Sequence, residues 1–193
     1  MRGRPSSIDH EQVILKAQRV FWEKGFGATS LGDLLKSTDM GSGSFYNCFK
    51  GGKKELFGKA IAQRREVFQQ FKAVLDNSES PVQKIRDFFG SIAEADHDTH
   101  MRGCIIANAV TEMAFLDPEL EKEAADILLE VEQMFAGAIR REQLAGTIAN
   151  PAPPEVLARY LITVWNGLNV TRRVHTDKVV LRELIDLQLS VIS

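Results

Sequence analysis

Cysteine is nearly absent from this chain. Two residues of 193, Cys48 and Cys104, lie far apart in the sequence, which leaves no disulfide framework and suits a reducing compartment. Long apolar runs are missing too. No stretch of about 18 apolar residues is available to cross a membrane, and the opening MRGRPSSIDHEQ carries no hydrophobic signal segment. A soluble, cytoplasmic protein is therefore expected. Useful strand-like alternation, internal repeats and low-complexity tracts do not occur. Nor does a Ser-His-Asp order, a phosphate-cradling glycine loop or a Cys-x-x-Cys pair, so an enzyme is not expected and no cofactor is implied.

What is present is helical periodicity over an apolar content of 44%, ample for a core at this length. Charge is spread unevenly. Residues 1–56 hold nine Lys/Arg against six Asp/Glu, a net of +3, and the other 137 hold 15 against 20, a net of −5. A basic head on an acidic body is the sign pattern of a phosphate-facing domain with a separate core.

The organising stretch is residues 29–49, TSLGDLLKSTDMGSGSFYNCF. An apolar-periodic segment (Leu31, Leu34, Leu35) breaks at Thr38-Asp39-Met40-Gly41, and a very short one (Phe45, Cys48, Phe49) follows at once, the pattern of a helix-turn-helix. Asp39 is among the few non-glycine residue types that tolerate a left-handed bend. With Phe45, Cys48 and Phe49 inward, Ser42, Gly43, Ser44, Tyr46 and Asn47 are turned outward, small and polar enough for close approach to DNA. Asparagine is also suited to pair with the edge of adenine in a major groove.

These residues resemble the DNA-binding domain of the tetracycline-repressor family of transcriptional regulators. Thr29, Ser30, Leu31, Asp33, Leu34, Met40, Gly43, Ser44, Phe45, Tyr46 and Phe49 stand in register with its pattern, and Lys53 falls three before Leu56. Asp39 replaces the usual glycine, Gly41 the usual capping serine, and the spacing from Phe49 to Lys53 is one residue longer. The resemblance implies a homodimeric regulator that binds a double-stranded, pseudo-palindromic DNA operator and is released by a small-molecule inducer. It assigns phosphate contact to Tyr46, offers Thr29 and Ser30 as both helix caps and phosphate ligands, with capping alone as the competing role, and offers Lys53 as a further phosphate ligand. Lys36, on the outer side of the preceding helix, and Arg4, in a basic Gly/Pro-containing tail, complete the candidate DNA-binding set.

An all-α fold of about nine helices is expected, three in a DNA-binding domain over 1–52 and six in a ligand-binding and dimerisation domain over 53–193. Asp9 with Gln12 reads as a capping box starting the first helix, and Gly25 ends it. Ser80 with Gln83 reads as a second capping box, with Pro81 between them. Two apolar faces near the carboxyl end, one with Tyr160, Leu161, Val164, Trp165 and Leu168, the other with Val180, Leu184, Leu187 and Val191, have nothing left in the chain to cover them both. A homodimer that pairs these helices with their copies is the natural solution.

Inducer contacts are sought among the helices over 81–139, with Phe88, Cys104, Asn108, Glu112, Met134 and Trp165 as candidates. Gly103-Cys104 before an apolar helix resembles the electrophile-sensing subgroup of the same family, such as the N-ethylmaleimide-reductase repressor. A thiol at a helix N-terminus next to Arg102 has the setting for reactivity, and a small buried apolar group is the competing role. His97, His100 and Cys104, with Asp96 and Asp98, carry donors for a soft metal, but 94–100 reads as a polar loop. The competing class, a helical ligand- or metal-binding protein with no DNA role, finds half of a di-iron motif in Glu94-x-x-His97 and no second copy.

Overall fold

The computed structural model describes residues 9–193; Arg2 and Arg4 lie outside the described residues. Among these are ten α-helices, a closing 3-10 turn at Ser190–Ile192 and no strand. The chain divides into two compact units, Met1–Arg64 and Arg65–Ser193. That boundary falls inside α4 (Gly52–Asp76), at whose start the sequence-based division at 52/53 lies.

In the first unit, α1 (His10–Ala28) begins where the Asp9 carboxylate accepts the N–H groups of Glu11 and Gln12. Gly25, at φ 79°, breaks the helix before its last few residues. Phe21 packs edge-on against Phe57 of α4 at 4.9 Å between ring centres. Gln18, buried at this contact, donates its side-chain N–H to the Ala60 carbonyl at 2.7 Å. Burying Phe21, Phe45 and Phe57 stabilises the unit by about 1.5–3 kcal/mol apiece.

The second unit centres on α8 (Pro118–Ala145), flanked by α7 (Ile105–Met113) and α9 (Pro154–Val174). Asp117 accepts from Glu119 and Leu120 at the start of α8, and Gly146 closes it in the left-handed region. Phe89 of α5 (Pro81–Glu94) lies between Phe135 of α8 and Trp165 of α9, while Phe88 lies against Trp165 at 4.4 Å. Arg141 of α8 donates to the carbonyls of Leu75, Asp76 and Ser78 where α4 ends.

Two local expectations fail. Residues 94–100 are not a loop: α6 (His97–Arg102) forms because Asp96 caps it through the Thr99 N–H at 2.7 Å. The capping box at Ser80 does not form. Ser80 sits at φ −129°, ψ 73° with no capping bond, its N–H goes to Ser78 Oγ, and Gln83 donates to Asp87 instead.

The face of α9 expected to lie open is covered by the chain itself: Leu161, Val164 and Leu168 are buried and Trp165 is half-buried, leaving Tyr160 of that set exposed. In α10 (Lys178–Leu189), Leu181, Ile185 and Leu189 are buried against the unit, chiefly along α5. Val180 and Leu187 face out, with Leu184 and Val191 half-buried beside them. On α9, Val156, Tyr160, Thr163, Gly167, Val170 and Val174 are all exposed, stepping alternately by four and three. That spacing is the seam of a helix packed lengthwise on another helix.

Candidate nucleic-acid interface

The helix-turn-helix is built by its caps. Ser30 Oγ accepts the Asp33 N–H while Asp33 accepts from the Ser30 N–H and hydroxyl, which fixes the start of α2 (Leu31–Thr38). Lys24 joins Asp33 at 2.5 Å. Hydrogen bonds from Lys24, then from Ser30, hold the Asp33 carboxyl far below the usual carboxylate range. At the bend Asp39 takes φ 56°, ψ 32°, the left-handed geometry expected for it, and its carboxylate meets Lys16 at 2.9 Å.

α3 (Ser42–Cys48) then presents its outer face. Phe45 and Phe49 are fully buried and anchor it, whereas Ser42, Gly43, Ser44, Tyr46 and Asn47 are exposed, Tyr46 by 51%. A Cβ on Gly43 would meet nothing within 4 Å, so no packing inside the chain calls for glycine there. Cys48 is half-buried.

The remaining candidates divide. Lys36 is exposed on α2 and Ser30 is exposed at its cap. Thr29 is 1% exposed and its hydroxyl donates to the Gly25 carbonyl at 2.6 Å. Lys53 donates its ammonium to the carbonyls of Phe26 and Thr29 and lies over the Phe26 ring at 4.3 Å. Thr29 and Lys53 thus close the broken end of α1, and two of the three Lys53 N–H bonds are engaged there. Arg4 lies outside the described residues.

Among the described residues, the six inducer candidates fall in different surroundings. Phe88 and Trp165 fill the aromatic core with each other, and Met134 borders a cleft of about 10 Å³. Asn108 lines a groove of about 290 Å³ between α7, α8 and α9, together with Asn166, Asn169 and Arg173. Cys104 is buried beside it, its N–H bonded to Asn169 Oδ1 at 2.6 Å; Glu112 is half-buried on α7. Gly103, at φ 69°, lets α9 approach: a Cβ would come within 2.9 Å of both Asn169 and Arg173.

Sequence reasoning passed over Asn169 and the buried Arg172. Their signal was present, since Leu161, Trp165, Leu168 and Arg172 share one helical stripe, on which a cation is out of place. His97 is exposed while His100 is buried, and among the described residues no group of three or more His, Cys, Asp or Glu is placed to hold an ion.

Known proteins resemble both units. Residues 13–60 match the family described as bacterial regulatory proteins, tetR family, and residues 81–187 match the tetracyclin repressor-like C-terminal domain. The HTH-type transcriptional regulator YezE of Bacillus subtilis is 30% identical over 195 aligned positions, covering 98% of this chain and 99% of that one. The HTH-type transcriptional repressor DhaR of Mycobacterium sp. (strain GP1) is 27% identical over 187 positions, 94% of this chain and 89% of its own. In fold, the chain is like a cysteine mutant of the TetR family regulator CifR bound to 26-base-pair operator DNA. The TM-score is 0.81 at 24% identity, over 99% of this chain and 100% of the other. Among the described residues no helix is long and apolar enough to cross a membrane.

Proposed function

Because the chain belongs to the tetR family of bacterial regulatory proteins, we propose that its α3 enters the major groove of an operator and that a dimer of identical chains presents two such helices to it. The protein is a DNA-binding transcriptional regulator of the repressor type. The observation that carries the reading is the outer face of α3, where Ser42, Gly43, Ser44, Tyr46 and Asn47 are exposed over a buried Phe45 and Phe49. Asn47 reads base edges, Tyr46 and Ser44 reach phosphates, and Lys36 adds charge from α2. Ser30, at the start of α2, and Arg4 are further phosphate contacts in this reading; Thr29 and Lys53 act by holding the frame.

Residues 1–52 serve as the DNA-binding head and 53–193 as the ligand-binding and dimerisation body, acting in the cytoplasm. The exposed seam of α9 and the outer face of α10 pair with their copies in a four-helix bundle, which sets the spacing of the two heads. An inducer releases DNA by favouring a body conformation whose head spacing no longer fits two successive grooves, which requires that it bind that conformation better. Cys104 is the residue through which an electrophile would act. Its thiolate would add to an electron-poor carbon, forming a carbon–sulfur bond, while the displaced electron pair takes up a proton from solvent.

Selection of bound sites from random duplexes tests the reading. Two related half-sites with centres about one helical turn apart, or a multiple of it, are expected. Recovery of unrelated sequences without paired half-sites would count against it.

A further inference from the structure

Beside Asn169 of the groove wall, unit 2 buries a guanidinium that no carboxylate among the described residues pairs; burial disfavours its charge and the neighbouring Cys104 favours it. Arg172 is 7% exposed, yet its Nε has no hydrogen-bond partner and its Nη2 reaches only Asn169 Oδ1, at 3.3 Å. That oxygen already accepts the Cys104 N–H. Among the described residues no carboxylate pairs with Arg172 or Arg173, and the Arg173 guanidinium donates to the Arg102 carbonyl instead. The ring of His100, 2% exposed, faces the Ala95 carbonyl, but neither nitrogen makes a well-formed hydrogen bond. Burial, followed by the nearby Arg172, lowers its pKa from the ordinary histidine value. An enclosed guanidinium held by one long hydrogen bond is unfavourable until an anion or water satisfies its remaining N–H groups.

We propose that His100, Asn169 and Arg172 form a carboxylate subsite, which takes the head of a small effector whose short apolar tail lies in the adjoining groove. The chemistry follows from the donors and the walls. A planar guanidinium matches the two oxygens of a carboxylate, and the groove beside it has apolar sides from Ala107, Val110, Leu128 and Val170. At about 290 Å³ it is at the small end of ligand pockets. A phosphate dianion would need more N–H donors than one arginine and one imidazole offer. The groove wall of Asn166, Asn169, Val170 and Arg173 belongs to α9, which also bears the exposed seam, so a ligand there acts on the helix that sets dimer geometry.

The inference rests on the regulator reading for its role as an effector site, but its test does not. Isothermal titration of the full chain with sodium butyrate, butyramide and inorganic phosphate, at constant ionic strength, reads the subsite directly. Butyrate is expected to bind, and butyramide at least about tenfold more weakly, since it lacks the charge. Arg172→Gln loses butyrate by at least the same factor. Should that variant fail to fold, exposed Arg173→Gln at the groove mouth is expected to weaken butyrate several-fold. Equal affinity for butyrate and butyramide, tighter binding of phosphate, no binding of butyrate, or unchanged binding in both variants overturns the proposal. Operator release is scored separately: butyrate bound through Arg172 with the operator still occupied keeps the subsite and removes its effector role.

Discussion

Lys53 donates to the backbone carbonyl of Thr29 at 3.0 Å, and so binds together two residues that the sequence offers to DNA phosphates. With its second bond, to Phe26 O, the lysine holds the stretch where α1 is broken and α2 is about to start. Lys53→Met is therefore expected to act through stability. A loss of about 1.5–3 kcal/mol, from two charge-assisted hydrogen bonds that are partly exposed, is expected in urea unfolding. The salt dependence of DNA affinity should stay unchanged, whereas a slope lower by about 1 with unaltered stability would make Lys53 a phosphate ligand.

Acid should loosen the same unit through Asp33. Hydrogen bonds from Lys24 and Ser30 depress its folded pKa, so its contribution to stability is complete above the unfolded value near 3.9. It is lost as pH falls below that value toward the folded one. Asp33→Asn is expected to flatten the pH dependence of the melting midpoint below about pH 4. An identical acid profile in the variant would mean that the capping box carries no such linkage.

The dimer seam is open to a charge test. Leu187 is 71% exposed and Val180 49%, so glutamates there cost a single chain little. Val180→Glu/Leu187→Glu is expected to sediment as a folded monomer with unchanged helical signal. A variant that stays dimeric would remove α10 from the interface.

For the thiol, N-ethylmaleimide separates the two cysteines. Cys104→Ser is expected to keep its operator in the presence of the reagent, while Cys48→Ser still releases it. The reverse pattern would place the reaction on Cys48, half-buried on α3, and return Cys104 to a packing role.

The head was legible because each of its devices is local. Asp9, Ser30 and Asp39 announce caps and a bend by residue type alone, and Phe45 with Phe49 marks the inner side of a helix only seven residues long. The body was less so. α6 is a single capped turn and a half with no apolar period, so its polar residues read as a loop. On α10 two apolar stripes have similar spacing, and periodicity cannot tell that Leu181, Ile185 and Leu189 are covered by this chain while Leu187 is not. The burial of Arg172 depends on α6 and α7 arriving from elsewhere in the sequence, a fact that no window along α9 contains. The capping box at Ser80 failed because Ser78 competes for the same N–H, a choice that residue types leave open.

The central claim is that the outer face of α3 reads DNA, and a salt-controlled mobility shift on a selected duplex tests it with Tyr46→Ala and Asn47→Ala. Tyr46→Ala is expected to weaken selected and random duplexes alike, by about 1 kcal/mol. Asn47→Ala should weaken the selected one by about 1–3 kcal/mol and the random one little; both variants should melt with the parent. Unchanged affinity in both would contradict the account.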